Sequence, residues 1–156
     1  VSKKVSAKPK KLAVFIDNSS KLYDKDFYKW ANTQSKLLKK GEFEKLDINN
    51  LIEEIESLGR SEKRTLRNYL VNLLMHMLKV KFQPERHGKS WDSSIRFSKK
   101  EVLEVLKDNP SLKPKLKDIF FDAYDSARLK ASSETDLDVS VFPKDCPWTI
   151  EEVINS

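Results

Sequence analysis

Residues 61–81 read SEKRTLRNYLVNLLMHMLKVK, and the spacing of their apolar side chains decides the fold. Leu66, Tyr69, Leu70, Leu73, Leu74, Met77 and Leu78 recur at three- and four-residue intervals, the period that gathers one face of an α-helix. The helix is predicted to stop near Gln83-Pro84, because proline disfavours helical backbone in the residue before it.

The same period runs through both flanks. Asp24 is a candidate N-cap for a first helix carrying Phe27, Trp30, Ala31, Gln34, Leu37 and Leu38, with Gly41 as its stop. Asp47 is a candidate cap for a second, with Ile48, Leu51, Ile52, Ile55 and Leu58 on one face; Gly59 either ends it or weakens it. After a loop marked by Gly88, a helix starting near Ser90 or Asp92 turns Trp91, Ile95, Val102, Leu103 and Leu106 inward and ends at Asn109-Pro110. Ser111 is expected to cap the next, with Pro114 in its tolerant first turn and Leu112, Leu116, Ile119, Phe120, Ala123, Tyr124 and Ala127 as core. Phe142-Pro143 and Cys146-Pro147-Trp148 predict a loop-rich aromatic clasp, and Thr149 with Glu152 forms a capping box for a short last helix. The fold class is therefore all-α, a single bundle of about five helices. Residues 1–21 are expected to be a basic, partly disordered extension, and residues 22–156 one helical domain.

One segment departs from the pattern. Residues 12–17, LAVFID, are short and rich in β-formers, and they read as an extended strand-like run. An apolar run ending in Asp resembles the first strand of PIN-like nucleases. No later segment supplies the further strand-borne carboxylates that such a metal site requires. An extended segment packing on the domain is the expectation.

A chain of 156 residues with 38% hydrophobic and 35% charged residues is long enough to bury a core and reads as soluble. No apolar run approaches the ~20 residues of a membrane span. The N-terminal lysines lack the long apolar core and cleavage site of a secretory leader. Cys146 alone excludes an internal disulfide framework and a multi-cysteine zinc site. A cytoplasmic location, with no membrane partner, is the expectation.

The net charge of +6 is mostly a tail: Lys3, Lys4, Lys8, Lys10 and Lys11 supply +5 of it. Beyond residue 11 the charge is segregated. Residues 42–56 hold six acids and one lysine, whereas residues 60–100 hold eleven Lys or Arg and three acids. Such separation either steers a partner or is neutralised within the protein, as a solvated face.

Several short motifs, taken together and in order, carry a family resemblance. They are Tyr23-Asp-x-Asp26-Phe27, Leu51-Ile-Glu-Glu-Ile-Glu-Ser-Leu-Gly59, His76-Met-Leu-Lys79, Gln83-Pro84-Glu85-Arg86 and Ser90-Trp91. Asp122-Ala-Tyr124, Ala127-Arg128, Glu134-Thr135, Phe142-Pro143 and Cys146-Pro147-Trp148 continue the series. From about Leu22 to Ile154 the chain resembles the bacterial family catalogued as domain of unknown function twenty-nine. The resemblance implies a compact helical fold and brings no activity, substrate or catalytic residue with it.

Candidate site residues fall in the basic stretch. His76, Lys79, Arg86, His87, Lys89, Trp91 and Arg96 form a candidate polar or anion-binding set, in which the cations would donate to phosphate or carboxylate and Trp91 would stack a base. His76 reads either as a general base or as a partly buried core histidine, and Trp91 either as a stacking platform or as core. Arg60, Lys63, Arg64 and Arg67 form a candidate basic face. Arg67 lies nine positions before His76, outside the Arg-x4–6-His spacing of small helical ribonucleases. Two histidines without paired cysteines give no metal site. Glu53, Glu54 and Glu56 lack the Glu-x-x-His partners of a di-metal bundle. Three glycines in all leave no phosphate-binding loop, and no cofactor is implied.

The leading functional expectation is a helical protein-interaction module without chemistry of its own, engaging a protein partner through the basic face or the acidic ones. Nucleic-acid binding through the basic face is the alternative, with a metal-independent ribonuclease third. Ligand, oligomeric state and pathway are not written in the sequence.

Overall fold

In a computed structural model describing residues 8–155, six α-helices form and no strand appears among the described residues. They are α1 (Lys8–Lys25), α2 (Phe27–Lys40), α3 (Ile48–Phe82), α4 (Lys89–Asp108), α5 (Leu116–Thr135) and α6 (Ile150–Asn155). The all-α expectation holds. The helices group into two compact units that divide between Leu58 and Gly59, and α3 runs through both. Residues 1–7 of the expected lysine arm lie outside the described residues.

In the first unit, residues 12–17 are helical, correcting the strand-like reading. Leu12, Ile16, Ser19 and Tyr23, with Ser20 and Leu22 beside them, are the less exposed positions of α1, and the four-three-four spacing of the first four is helical. A lone strand would leave its ladder groups unpaired, whereas a helix satisfies them internally. Asp24 lies inside α1, and the cap of α2 is Asp26, whose Oδ1 accepts a hydrogen bond from the Lys29 N–H at 3.0 Å. Gly41 ends α2 as expected, in the left-handed region at φ 71°. The Gly41 N–H donates to the Leu38 carbonyl and the Glu42 N–H to the Leu37 carbonyl, a Schellman pair.

The core of this unit is Trp30 with Leu37 and Leu46, and Tyr23 meets Trp30 edge-on at 4.8 Å. A polar network is buried with it. Gln34 Nε2 donates to Ser19 Oγ at 2.7 Å, Gln34 Oε1 accepts the Asp47 N–H at 2.8 Å, and Asp47 Oδ2 accepts the Trp30 indole N–H at 3.0 Å. Asp47 stands immediately before α3.

Gly59 neither stops nor interrupts α3. Mid-helix glycine costs about 1 kcal/mol relative to alanine, less than breaking the hydrogen-bond ladder on both sides would. The apolar runs before and after Gly59 thus belong to one helix, the continuation that a merely weakening glycine allows. On its first turns Ile48, Ile52, Ile55 and Leu58 do share a face, and all four are exposed.

The second unit is built on the rest of α3. Leu66, Leu70, Leu73, Leu74 and Leu78 are fully buried, joined by Val102 and Leu106 of α4, by Ile119, Phe120, Ala123, Tyr124 and Ala127 of α5, and by Val153 of α6. Pro84 ends α3 as expected, and Gln83 then donates to the Thr135 carbonyl. α4 begins at Lys89 with Gly88 as its cap residue. Leu103 is exposed, correcting its inward assignment: the buried row on α4 is Ser98, Val102 and Leu106, and Ser98 Oγ accepts from Asn72 Nδ2 at 2.6 Å. Ser111 does not cap α5. Residues Pro110–Lys115 form a 3-10 turn instead, because Pro114 has no N–H to give and restricts Lys113 before it.

The C-terminal clasp forms as read. Phe142 is buried edge-on to Phe82 at 5.5 Å, and its carbonyl accepts from the Arg128 guanidinium at 3.0 Å. The Tyr124 hydroxyl donates to the Pro143 carbonyl at 2.8 Å, and burial above all pushes its pKa up to about 12. Thr149 and Glu152 make the reciprocal capping box at 2.7 and 3.2 Å. Among the described residues no helix is long and apolar enough to cross a membrane.

Candidate functional site

Arg60, Lys63, Arg64 and Arg67 follow one another at helical spacing, which places all four on one side of α3. They line a single groove of about 480 Å³ within the second unit. Its remaining lining comes from Asp118, Ile119 and Asp122 on α5, where the two carboxylates are one turn apart.

Arg67 is held in place across the groove. Its Nε donates to the Asp122 carboxylate and its Nη2 to Ser126 Oγ at 2.6 Å, a forked contact that a lysine could not copy. Lys63 and Arg64 are exposed and form no ion pair with a described residue. Glu62, the one acid in this turn, is engaged elsewhere by Asn109 Nδ2 at 3.2 Å. The groove therefore presents the exposed Lys63 and Arg64 beside the fixed Arg67 guanidinium, with carboxylates and an isoleucine opposite.

The other candidate residues divide into two groups. His76 and Lys79 are buried on α3, away from open solvent. Lys79 Nζ lies 2.7 Å from Glu134 Oε2 and 4.6 Å from the centre of the Trp91 ring, so that ring is occupied by a cation. His87 stacks on Trp91 at 6.5 Å and places Nε2 2.6 Å from Asp92 Oδ1. Arg86, Lys89 and Arg96 are exposed, and their side chains make no hydrogen bond or ion pair with a described residue.

Burial holds the His76 pKa below its ordinary value, Lys79 adds to that, and Glu134 opposes it. His76 Nδ1 is buried without a hydrogen-bond partner. The charged groups that act on this imidazole, Lys79 and Glu134, are paired with each other. Burial also raises the Cys146 thiol pKa, which makes it a packing group rather than a thiolate. No cluster of three His, Cys, Asp or Glu is placed to hold a metal ion among the described residues.

Sequence reasoning named the α3 wall of the groove and missed the α5 wall. Ile119 was visible only as core. Asp118 and Asp122 share a four-residue spacing on the helix that also bears the core stripe, and Asp122 opens the Asp122-Ala-Tyr124 motif. Glu134 was visible only within the Glu134-Thr135 motif, because tertiary packing alone brings it to Lys79.

A family model described as domain of unknown function DUF29 matches residues 22–156. Neither the curated proteins nor the solved structures contain a match.

Proposed function

This chain belongs to the DUF29 family, and on that premise we propose that it is a non-catalytic interaction module whose basic groove receives an acidic segment of a partner protein. One observation supports the reading: four cations of α3 line one groove together with an isoleucine and two carboxylates of α5. An acidic peptide offers carboxylates to Lys63 and Arg64, above a groove floor closed by the buried Ile119. It also brings N–H donors for Asp118 and Asp122. Both carboxylates repel a backbone charged at every nucleotide, whereas a peptide can set its acids against Lys63 and Arg64 and neutral residues against Asp118 and Asp122, which favours a peptide in this groove. Complementary charge of this kind speeds encounter and selects partners more than it adds affinity.

Fluorescence anisotropy of the full chain with a labelled Glu/Leu-rich peptide, and separately with single-stranded and duplex oligonucleotides, tests the proposal. The expected result is peptide binding that weakens with salt and falls about tenfold or more in the Lys63→Glu, Arg64→Glu double variant. Because both proteins keep the N-terminal lysines, any binding by that tail cancels in the comparison. Oligonucleotides bound more tightly than peptide, and released by the same substitutions, would transfer the groove to nucleic acid. Binding of neither, or peptide binding untouched by the charge reversal, would refute it.

A further inference from the structure

A second groove, of about 360 Å³, opens elsewhere on the second unit. Leu73, Met77 and Val80 of α3, Ile95 of α4 and Val153 of α6 give it an apolar lining, completed by Trp148. Its only charged lining residues are Lys81 and Lys99, and no acid lines it. Lys81 is exposed, with Nζ 5.8 Å from the centre of the Trp148 ring. Neither lysine forms an ion pair with a described residue.

Two features separate this groove from ordinary core packing. Met77, Val80, Ile95 and Trp148 are only half-buried, so the cavity is open to a ligand rather than closed over a void. Both cations that line it are left without a carboxylate, whereas Lys79, two residues from Lys81, is matched by Glu134. An uncharged apolar ligand would fill the lining and leave the lysines unanswered. An anion without a tail would leave the methionine and isoleucine wet. From Met77 to Lys81 the helix rises about 6 Å, and the half-buried Ile95 and Trp148 widen that apolar wall, so an alkyl tail can lie on it with its charged end at the lysines. The volume is in the range of small-molecule sites, and methionine adapts to tails of different shape.

We propose that this groove is a binding site for a medium-chain fatty carboxylate, its tail against Met77, Ile95 and Trp148 and its carboxylate between Lys81 and Lys99.

Isothermal titration calorimetry of the full chain with decanoate, kept below its self-association concentration, tests the assignment. The expected result is saturable binding of one decanoate per chain, with decanol, the same tail without the charge, about tenfold or more weaker. Lys81→Glu with Lys99→Glu should weaken decanoate about tenfold or more and leave decanol unchanged; both positions reach solvent, so the fold should survive. Met77→Trp, which fills the groove, should weaken both ligands, with far-UV circular dichroism confirming the fold. Absence of saturable binding, or decanoate binding unaffected by the lysine reversal, would overturn the proposal.

Discussion

Lys79 and Glu134 close a 2.7 Å ion pair from very different surroundings: the lysine side chain is 8% exposed and the glutamate 47%. The asymmetry makes their substitutions unequal. Glu134→Gln leaves an ammonium buried with the Trp91 ring as its main compensation, and should cost about 1–2 kcal/mol, below the range for fully buried pairs because the carboxylate is half solvated. Lys79→Met keeps the stem, releases Glu134 to water and should stay within about 1 kcal/mol of wild type. Urea denaturation of the two variants gives the comparison. Equal losses would mean that the pair carries no desolvation penalty.

His76 makes stability depend on pH in a defined direction. Its folded pKa lies below the ordinary 6.5, so the unfolded chain binds the proton more readily. Its contribution is therefore complete above pH 6.5 and is lost as pH falls from there through the folded value. Lys79 and Glu134 are the charged groups that act on it, with opposite signs. His76→Leu removes this proton and also the unpartnered buried Nδ1. The variant should lose less stability than wild type between pH 6.5 and 5, measured by urea midpoints in a common buffer. Parallel pH profiles would show that His76 does not titrate differently on folding.

Gln34 is the hinge of the polar network in the first unit, at 2% exposure. Gln34→Leu leaves the Asp47 N–H and the Ser19 hydroxyl without their partner, two buried polar groups orphaned by one change. The expected loss is about 2–3 kcal/mol. Amide hydrogen exchange reads it locally, with the Asp47 N–H exchanging faster in the variant. Unchanged exchange there would mean that another acceptor takes the proton.

These networks mark the limit of what the chain states openly. The leucine stripe of α3, the stop at Gln83-Pro84 and the Thr149–Glu152 box are local patterns, and each was legible because period and cap chemistry act within a few residues. The helix at residues 12–17 was not: LAVFID suits a strand by composition, and only the wider spacing of Leu12, Ile16, Ser19 and Tyr23 shows the helical face. Continuity of α3 could be read either way at Gly59, since a glycine ends a helix only when the backbone turns left-handed after it. At the groove, Arg60, Lys63, Arg64 and Arg67 were readable as one face from spacing alone. Their partner wall was not, because Asp118 and Asp122 reach it through packing between helices more than fifty residues apart.

Gly41 and Gly59 differ enough to predict opposite signs for the same substitution. Gly41 closes α2 at φ 71°, where an L-residue brings its Cβ against its own backbone whatever space lies around it. Gly41→Ala should therefore destabilise by about 1–2 kcal/mol. Gly59 lies within α3 without positive φ, and a Cβ added there meets nothing within 4 Å. Gly59→Ala should stabilise by about 0.5–1 kcal/mol, because alanine loses less backbone entropy than glycine on entering a helix. Denaturant midpoints of the two variants beside wild type make the test, with Gly41→Ala below and Gly59→Ala above. A Gly59→Ala midpoint below wild type would mean that the helix depends on glycine at residue 59, and that its continuity is not set by propensity and hydrogen bonding alone.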